Sequence, residues 1–143
     1  MKLLILNGPN LNLVGTRNPE IYGNVSLGTY LQELKKDYDF EVFQSNIEGE
    51  IIDKLQASEQ ENFQGVILNA GGYTHTSVAI ADAIEAISVP VLEVHISQIF
   101  AREEFRNKSL IAPNCIGHIS GFGLLSYELA LKAFLSISKQ SKN

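Results

Sequence analysis

Glu93 and His95 stand two residues apart in an apolar run, Pro90-Val91-Leu92-Glu93-Val94-His95-Ile96. On a strand that spacing puts both side chains on one face. A carboxylate there can accept the imidazole N–H, fix the ring's tautomer and favour its protonated form, which suits a general acid working near neutral pH. The same spacing also fits a half-buried structural pair, and both readings stay open at this level. Asn7, Asn10 and Asn12 crowd into six residues, and Asn69 closes a second apolar run. Each asparagine can cap local backbone as a turn residue or turn its amide to a ligand.

Ser97 is placed to open a short helix through Arg106, whose first free amides, from Ile96 onward, would hold a carboxylate or phosphate. Arg102 and Arg106 would share a face of that helix, over a ligand or simply solvated beside Glu103 and Glu104. His75 and Asp82 are seven apart, two helical turns, so both can point toward the same end of a sheet or sit separately at the surface. Arg17 and Tyr22 lie five apart in a long polar segment. A free tyrosine has a pKa of about 10, so making it a base near neutrality costs about 4 kcal/mol for a three-unit shift. A neighbouring guanidinium is the obvious source, and a closing lid would strengthen it by excluding water.

The elements that must position these residues alternate in type. Apolar runs at 2–7, 40–45, Gly65–Asn69, 90–96 and 116–120 read as strands, bounded by Gly, Pro or Asn. Between them, Leu27, Tyr30, Leu31 and Leu34 form a helical stripe capped by Ser26. Ser45-Asn46-Ile47-Glu48 matches a capping box before Ile51, Ile52 and Leu55. A third helix spans about 76–87 with Ile80, Ala83, Ile84 and Ile87 inward, and a closing one 124–138 with Tyr127, Ala130, Leu131 and Phe134 inward. Five βα units predict one α/β domain over residues 1–143, with a five-stranded parallel sheet in the flavodoxin-like order 2-1-3-4-5 and helices on both faces. Ligands then bind beyond the strand carboxyl ends near the switch between strands 1 and 3. The irregular segment 9–24 sits there, and loops of that length in compact domains are usually functional.

Composition narrows the partners. The 143 residues are 45% hydrophobic and 19% charged, enough for one sizeable core. Net charge is −5, from 11 basic and 16 acidic residues without a basic stripe, which argues against nucleic acid and anionic membrane as partners. Cys115 is the only cysteine, so no intrachain disulfide forms and a cysteine-based metal site is excluded. The apolar run from Leu3 to Leu6 is too short for a signal sequence or membrane span, and a cytoplasmic protein is expected.

Several blocks carry a resemblance: Leu6-Asn7-Gly8-Pro9-Asn10-Leu11-Asn12, Arg17 with Pro19-Glu20-Ile21-Tyr22-Gly23, and Leu68-Asn69-Ala70-Gly71-Gly72-Tyr73-Thr74-His75-Thr76-Ser77-Val78-Ala79. To these add Glu93-Val94-His95-Ile96-Ser97 and Ala101-Arg102-Glu103-Glu104-Phe105-Arg106. In this order they resemble the type II 3-dehydroquinate dehydratases, from the first strand to the last helix. The resemblance implies a flavodoxin-like fold, conversion of 3-dehydroquinate to 3-dehydroshikimate and water in the shikimate route, and no cofactor or metal. It implies Tyr22 as a tyrosinate base for the C2 proton, and Arg17 as the group that lowers its pKa. Asn10 would hold a water on the enolate oxygen, and His95 would protonate the departing hydroxyl. Asn69, His75, Asp82, Arg106 and the Ile96 and Ser97 amides would bind substrate. It also implies a homododecamer built as a tetramer of trimers. Gln98, Phe100 and Ala81 depart from residues common in that family, and Arg102 has no assigned role.

Other classes fare less well. A flavodoxin-like module binding a phosphate ligand or FMN without catalysis would want GxxxxGK[ST] or GxGxxG, and neither occurs. Gly117-His118-Ile119-Ser120-Gly121 is not the nucleophile elbow of a serine hydrolase. No metal-ligand spacing links His75, His95 or His118 to carboxylates.

Overall fold

The computed structural model describes residues 1–15 and 25–140. β1 (Leu3–Asn7) is buried along its whole length, as a central strand covered on both faces must be. α1 (Leu27–Leu34) begins where Ser26 accepts a hydrogen bond from the Thr29 amide, and it buries Leu27, Leu31 and Leu34. β2 (Phe40–Gln44) is an edge strand, more exposed than the central strands. α2 (Glu48–Ala57), β3 (Gly65–Asn69), α3 (Val78–Ala86), β4 (Val91–His95), β5 (Gly117–Ser120) and α4 (Leu125–Gln140) complete the order. Among the described residues the strands form one parallel sheet in the expected order β2-β1-β3-β4-β5.

Strand alternation divides the core in two. Leu3, Ile5, Ile67, Leu92 and Val94 meet Leu27, Leu31, Tyr127, Leu131 and Phe134 from α1 and α4. Leu4, Leu6, Val66, Leu68 and Val91 meet Ile51, Leu55, Ile80 and Ile84 from α2 and α3 on the other face. Burying each such side chain contributes about 1.5–3 kcal/mol, so the two layers fix the sheet on which the site is built. No helix among the described residues is long and apolar enough to cross a membrane.

Three local expectations fail for identifiable reasons. Ser45 forms no capping box: its hydroxyl accepts from the Ile47 amide, two residues on, and α2 starts after Ile47 without a side-chain cap. The third helix starts later than expected, because Ser77 takes the Ile80 amide and so acts as its cap. After β4 there is no helix from Ser97 to Arg106. Two separate 3₁₀ turns, Ile99–Ala101 and Glu104–Arg106, are divided by Arg102 in an extended conformation. From 97 to 106 only Ile99 is buried, so no apolar face exists to hold a longer helix against the sheet. Arg102 and Arg106 therefore do not share a helix face, and no helix N-terminus backs the Ile96 and Ser97 amides.

Candidate active site

The loops after β1, β3 and β4 meet at the carboxyl ends of the central strands. Two glycines permit the contact. A Cβ on Gly8 would lie 2.6 Å from the Ala70 carbonyl oxygen, and Gly71 holds a φ of 59° with the Pro9 carbonyl 3.0 Å from where its Cβ would be. Asn10 also takes a left-handed conformation, φ 70°, which asparagine tolerates better than other side chains. Its amide donates to Asn46 Oδ1 at 3.0 Å, and Gln44 Nε2 donates to that same oxygen at 3.2 Å. The end of β2 thus pins the loop that presents Asn10.

These loops enclose a cavity of about 470 Å³, within the usual range for a small-molecule site. Asn10, Asn69, His75, His95, Ile96, Ser97, Arg102 and Arg106 all line it. Asp82 does not; it is exposed on α3. Arg17 and Tyr22 lie outside the described residues. Among the described lining residues two are arginines, two are histidines and none is acidic. Such a wall favours an anionic, hydroxyl-bearing ligand.

The asparagines divide by role. Asn7 and Asn69 are register partners on the α4 face, and Tyr127 spans them: its hydroxyl donates to Asn7 Oδ1 at 2.7 Å and accepts from Asn69 Nδ2 at 3.0 Å. Burial holds that phenol well above its ordinary pKa, so it stays a neutral donor. Asn69 Oδ1 accepts from the Gly71 amide, which leaves its second Nδ2 hydrogen for a ligand. Asn12 turns its amide oxygen to Gln44 Nε2, 3.4 Å away, and does not line the cavity.

His95 and Glu93 are paired as their spacing predicts, with Nε2–H donating to Glu93 Oε1 at 2.6 Å. Ser109 donates to the same oxygen at 2.7 Å. Glu93 is fully buried, and its Oε2 has no hydrogen-bond partner; His118 Nε2 stands 3.9 Å from it. The sequence reading missed Ser109, which has no signal of its own. It also missed the closeness of His118, which follows from β5 pairing with β4 so that Glu93 lies directly beside His118. The His118 ring is pushed toward its neutral form first by burial, an effect that Glu93 partly opposes and His95 reinforces. His75 donates from Nδ1 to the Lys108 carbonyl at 2.8 Å. Arg106 donates from Nε to Glu103 Oε2 at 2.8 Å, leaving its other guanidinium hydrogens for the cavity.

The departures from the family pattern lie off the cavity wall. Gln98 packs on Gly121, Phe100 is exposed with its ring 6.2 Å from His118, and the Ala81 carbonyl accepts from Asn114 within the chain.

A doubly wound parallel sheet whose strand ends hold a cleft lined by two arginines and two histidines, one of them paired to a buried carboxylate, defines an α/β protein with a candidate small-molecule site. The family described as Dehydroquinase class II matches residues 1–135, and the chain belongs to it. It is 51% identical over 141 residues to a protein of Caldicellulosiruptor saccharolyticus named 3-dehydroquinate dehydratase, covering 95% of this chain and 97% of that one. A protein of the same name from an Exiguobacterium species is 54% identical over 139 residues, covering 94% of each. The crystal structure of a type II dehydroquinase from Butyrivibrio crossotus superposes with a TM-score of 0.87 at 42% identity, covering 93% of this chain and 96% of that one.

Proposed function

We propose that this protein eliminates water from 3-dehydroquinate to give 3-dehydroshikimate, through an enolate and without a cofactor or metal. The observation that carries the reading is the His95–Glu93 contact of 2.6 Å on the wall of a cavity whose described lining has two arginines and no acid. In this mechanism Tyr22, as phenolate beside Arg17, takes the proton from C2. Negative charge moves onto the ketone oxygen, where a water held by Asn10 stabilises it. The enolate then collapses, a C1–C2 double bond forms, and the C1 hydroxyl leaves as water with a proton from His95. Glu93, bonded to Nε2, fixes which imidazole nitrogen is free to donate.

The substrate carboxylate and hydroxyls fall to Arg106, Asn69, His75 and the Ile96 and Ser97 amides. Asp82 joins this set by family resemblance alone. Residues 1–143 act as one catalytic domain in the cytoplasm, serve aromatic biosynthesis through the shikimate route, and assemble as a homododecamer, a tetramer of trimers. Ultraviolet detection of the conjugated product from 3-dehydroquinate tests the activity directly. No absorbance change at substrate concentrations in the millimolar range would reject it.

A further inference from the structure

Among the described residues, one group of metal-ligating side chains gathers tightly. Glu93, His95 and His118 each offer a ligand atom, and these atoms lie within 4.8 Å of one another. Three further observations point to a ligand. The Glu93 side chain is fully buried, yet its Oε2 is without a partner, which is costly for a carboxylate. His118 Nε2 faces that oxygen at 3.9 Å, too far for a hydrogen bond. And His118 is reachable: it lies on β5, the edge of the sheet, with its side chain 27% exposed.

We propose that Glu93, His95 and His118 form a binding site for a divalent transition-metal ion, zinc foremost, and that the ion inhibits the enzyme by sequestering His95. Two imidazoles and one carboxylate are a donor set zinc accepts, with bonds of roughly 2.0–2.2 Å, which places tetrahedral donors about 3.3 Å apart. His118 Nε2 stands 3.9 Å from the unpartnered Oε2 and His95 Nε2 2.6 Å from the other oxygen, Oε1, so the three donors, now within 4.8 Å of one another, must settle at that spacing. Small movements reach it, with His118 closing and the His95–Glu93 pair opening. His95 bonds to zinc through the Nε2 lone pair: an imidazolium releases its Nε2 proton to solvent, a neutral ring shifts that proton to Nδ1, and in either case the bound ligand is neutral imidazole and nothing is oxidised or reduced. A water completes the coordination. Magnesium and calcium prefer all-oxygen sets and should not compete.

The binding half of this proposal rests on geometry; the inhibitory half also rests on His95 being the acid of the proposed reaction. The two are separated by measuring zinc binding calorimetrically on the whole protein and, independently, dehydration with and without zinc. His118→Gln removes the exposed ligand without touching the cavity wall. We expect one zinc per chain bound by the wild type, affinity weakened about tenfold or more in His118→Gln, unchanged dehydration by that variant without zinc, and an inhibitory midpoint shifted by the same factor. Equal zinc affinity in wild type and variant, or no stoichiometric binding below about 1 mM, overturns the site. Binding that depends on His118 but leaves turnover intact overturns the inhibition. A chain that binds zinc as expected but never dehydrates 3-dehydroquinate sinks the proposed reaction and, with it, the inhibitory half, leaving the metal site in place.

Discussion

Asn7 and Asn69 face each other across β1 and β3 and are joined through a single phenol, that of Tyr127 on α4. The helix that covers one face of the sheet thereby orients an asparagine of the cavity wall. Tyr127→Phe deletes only the hydroxyl and leaves two buried amides short of a partner. We expect a loss of about 1–3 kcal/mol in unfolding free energy, together with a raised KM as Asn69 loses its anchor. Denaturant unfolding at unchanged m-value measures the first, steady-state kinetics the second; equal stability would show that the phenol bridge contributes nothing net.

The pair on β4 predicts a different signature. His95→Asn should lower kcat by about 10²–10⁴, the usual worth of a positioned general acid. Glu93→Gln keeps the shape but not the charge, and should lower kcat less while leaving KM nearly unchanged. If Glu93→Gln proves harmless to turnover, the carboxylate has only a packing role.

For the segment bearing Arg17 and Tyr22, the expectations rest on chemistry. Tyr22→Phe should abolish nearly all turnover and leave folding and ligand binding intact. In Arg17→Ala, the ionisation seen in the pH profile of kcat/KM should move upward, toward that of a free tyrosine. A profile that stays put in an active Arg17 variant contradicts the tuning of Tyr22 by Arg17.

Cys115 is held inert. Burial first, and the nearby Glu93 charge second, push its thiol up to about 12, and its S–H donates to the Ile111 carbonyl. The folded pKa lies above that of an unfolded chain, about 8.5. The protonated thiol's stabilising contribution is therefore complete below about pH 8.5 and is lost as pH rises toward 12. Alkylation by iodoacetamide at pH 8 should be far slower in the native protein than in urea. Comparable rates would place the thiol in contact with solvent.

No lysine should form an imine with substrate. None lines the cavity among the described residues, and Lys108, the nearest in sequence to the site, is exposed and meets His75 only through its carbonyl. Borohydride added during turnover should leave the mass of the chain unchanged; a lysine adduct accompanied by inactivation would replace the enolate route.

Much of this protein is written locally in its chain. The apolar runs, their helical and two-residue periods and the Ser26 cap determine the five strands and the amphipathic helices between them, because each depends on residues within one turn or one strand of each other. The two-residue step from Glu93 to His95 likewise predicts their contact, since alternation along a strand is a local rule. The expected helix from Ser97 to Arg106 shows where local rules stop. Its side chains can form a helix, but only tertiary burial decides whether one is held, and a single buried residue, Ile99, does not suffice. Other relationships lie between segments far apart in the chain. Tyr127 reaches Asn7 across 120 residues, Ser109 reaches Glu93 across 16, and His118 meets Glu93 only through the β4–β5 register. Spacing cannot reveal such neighbours, because the sheet's pairing, not the distance along the chain, sets which side chains share a face.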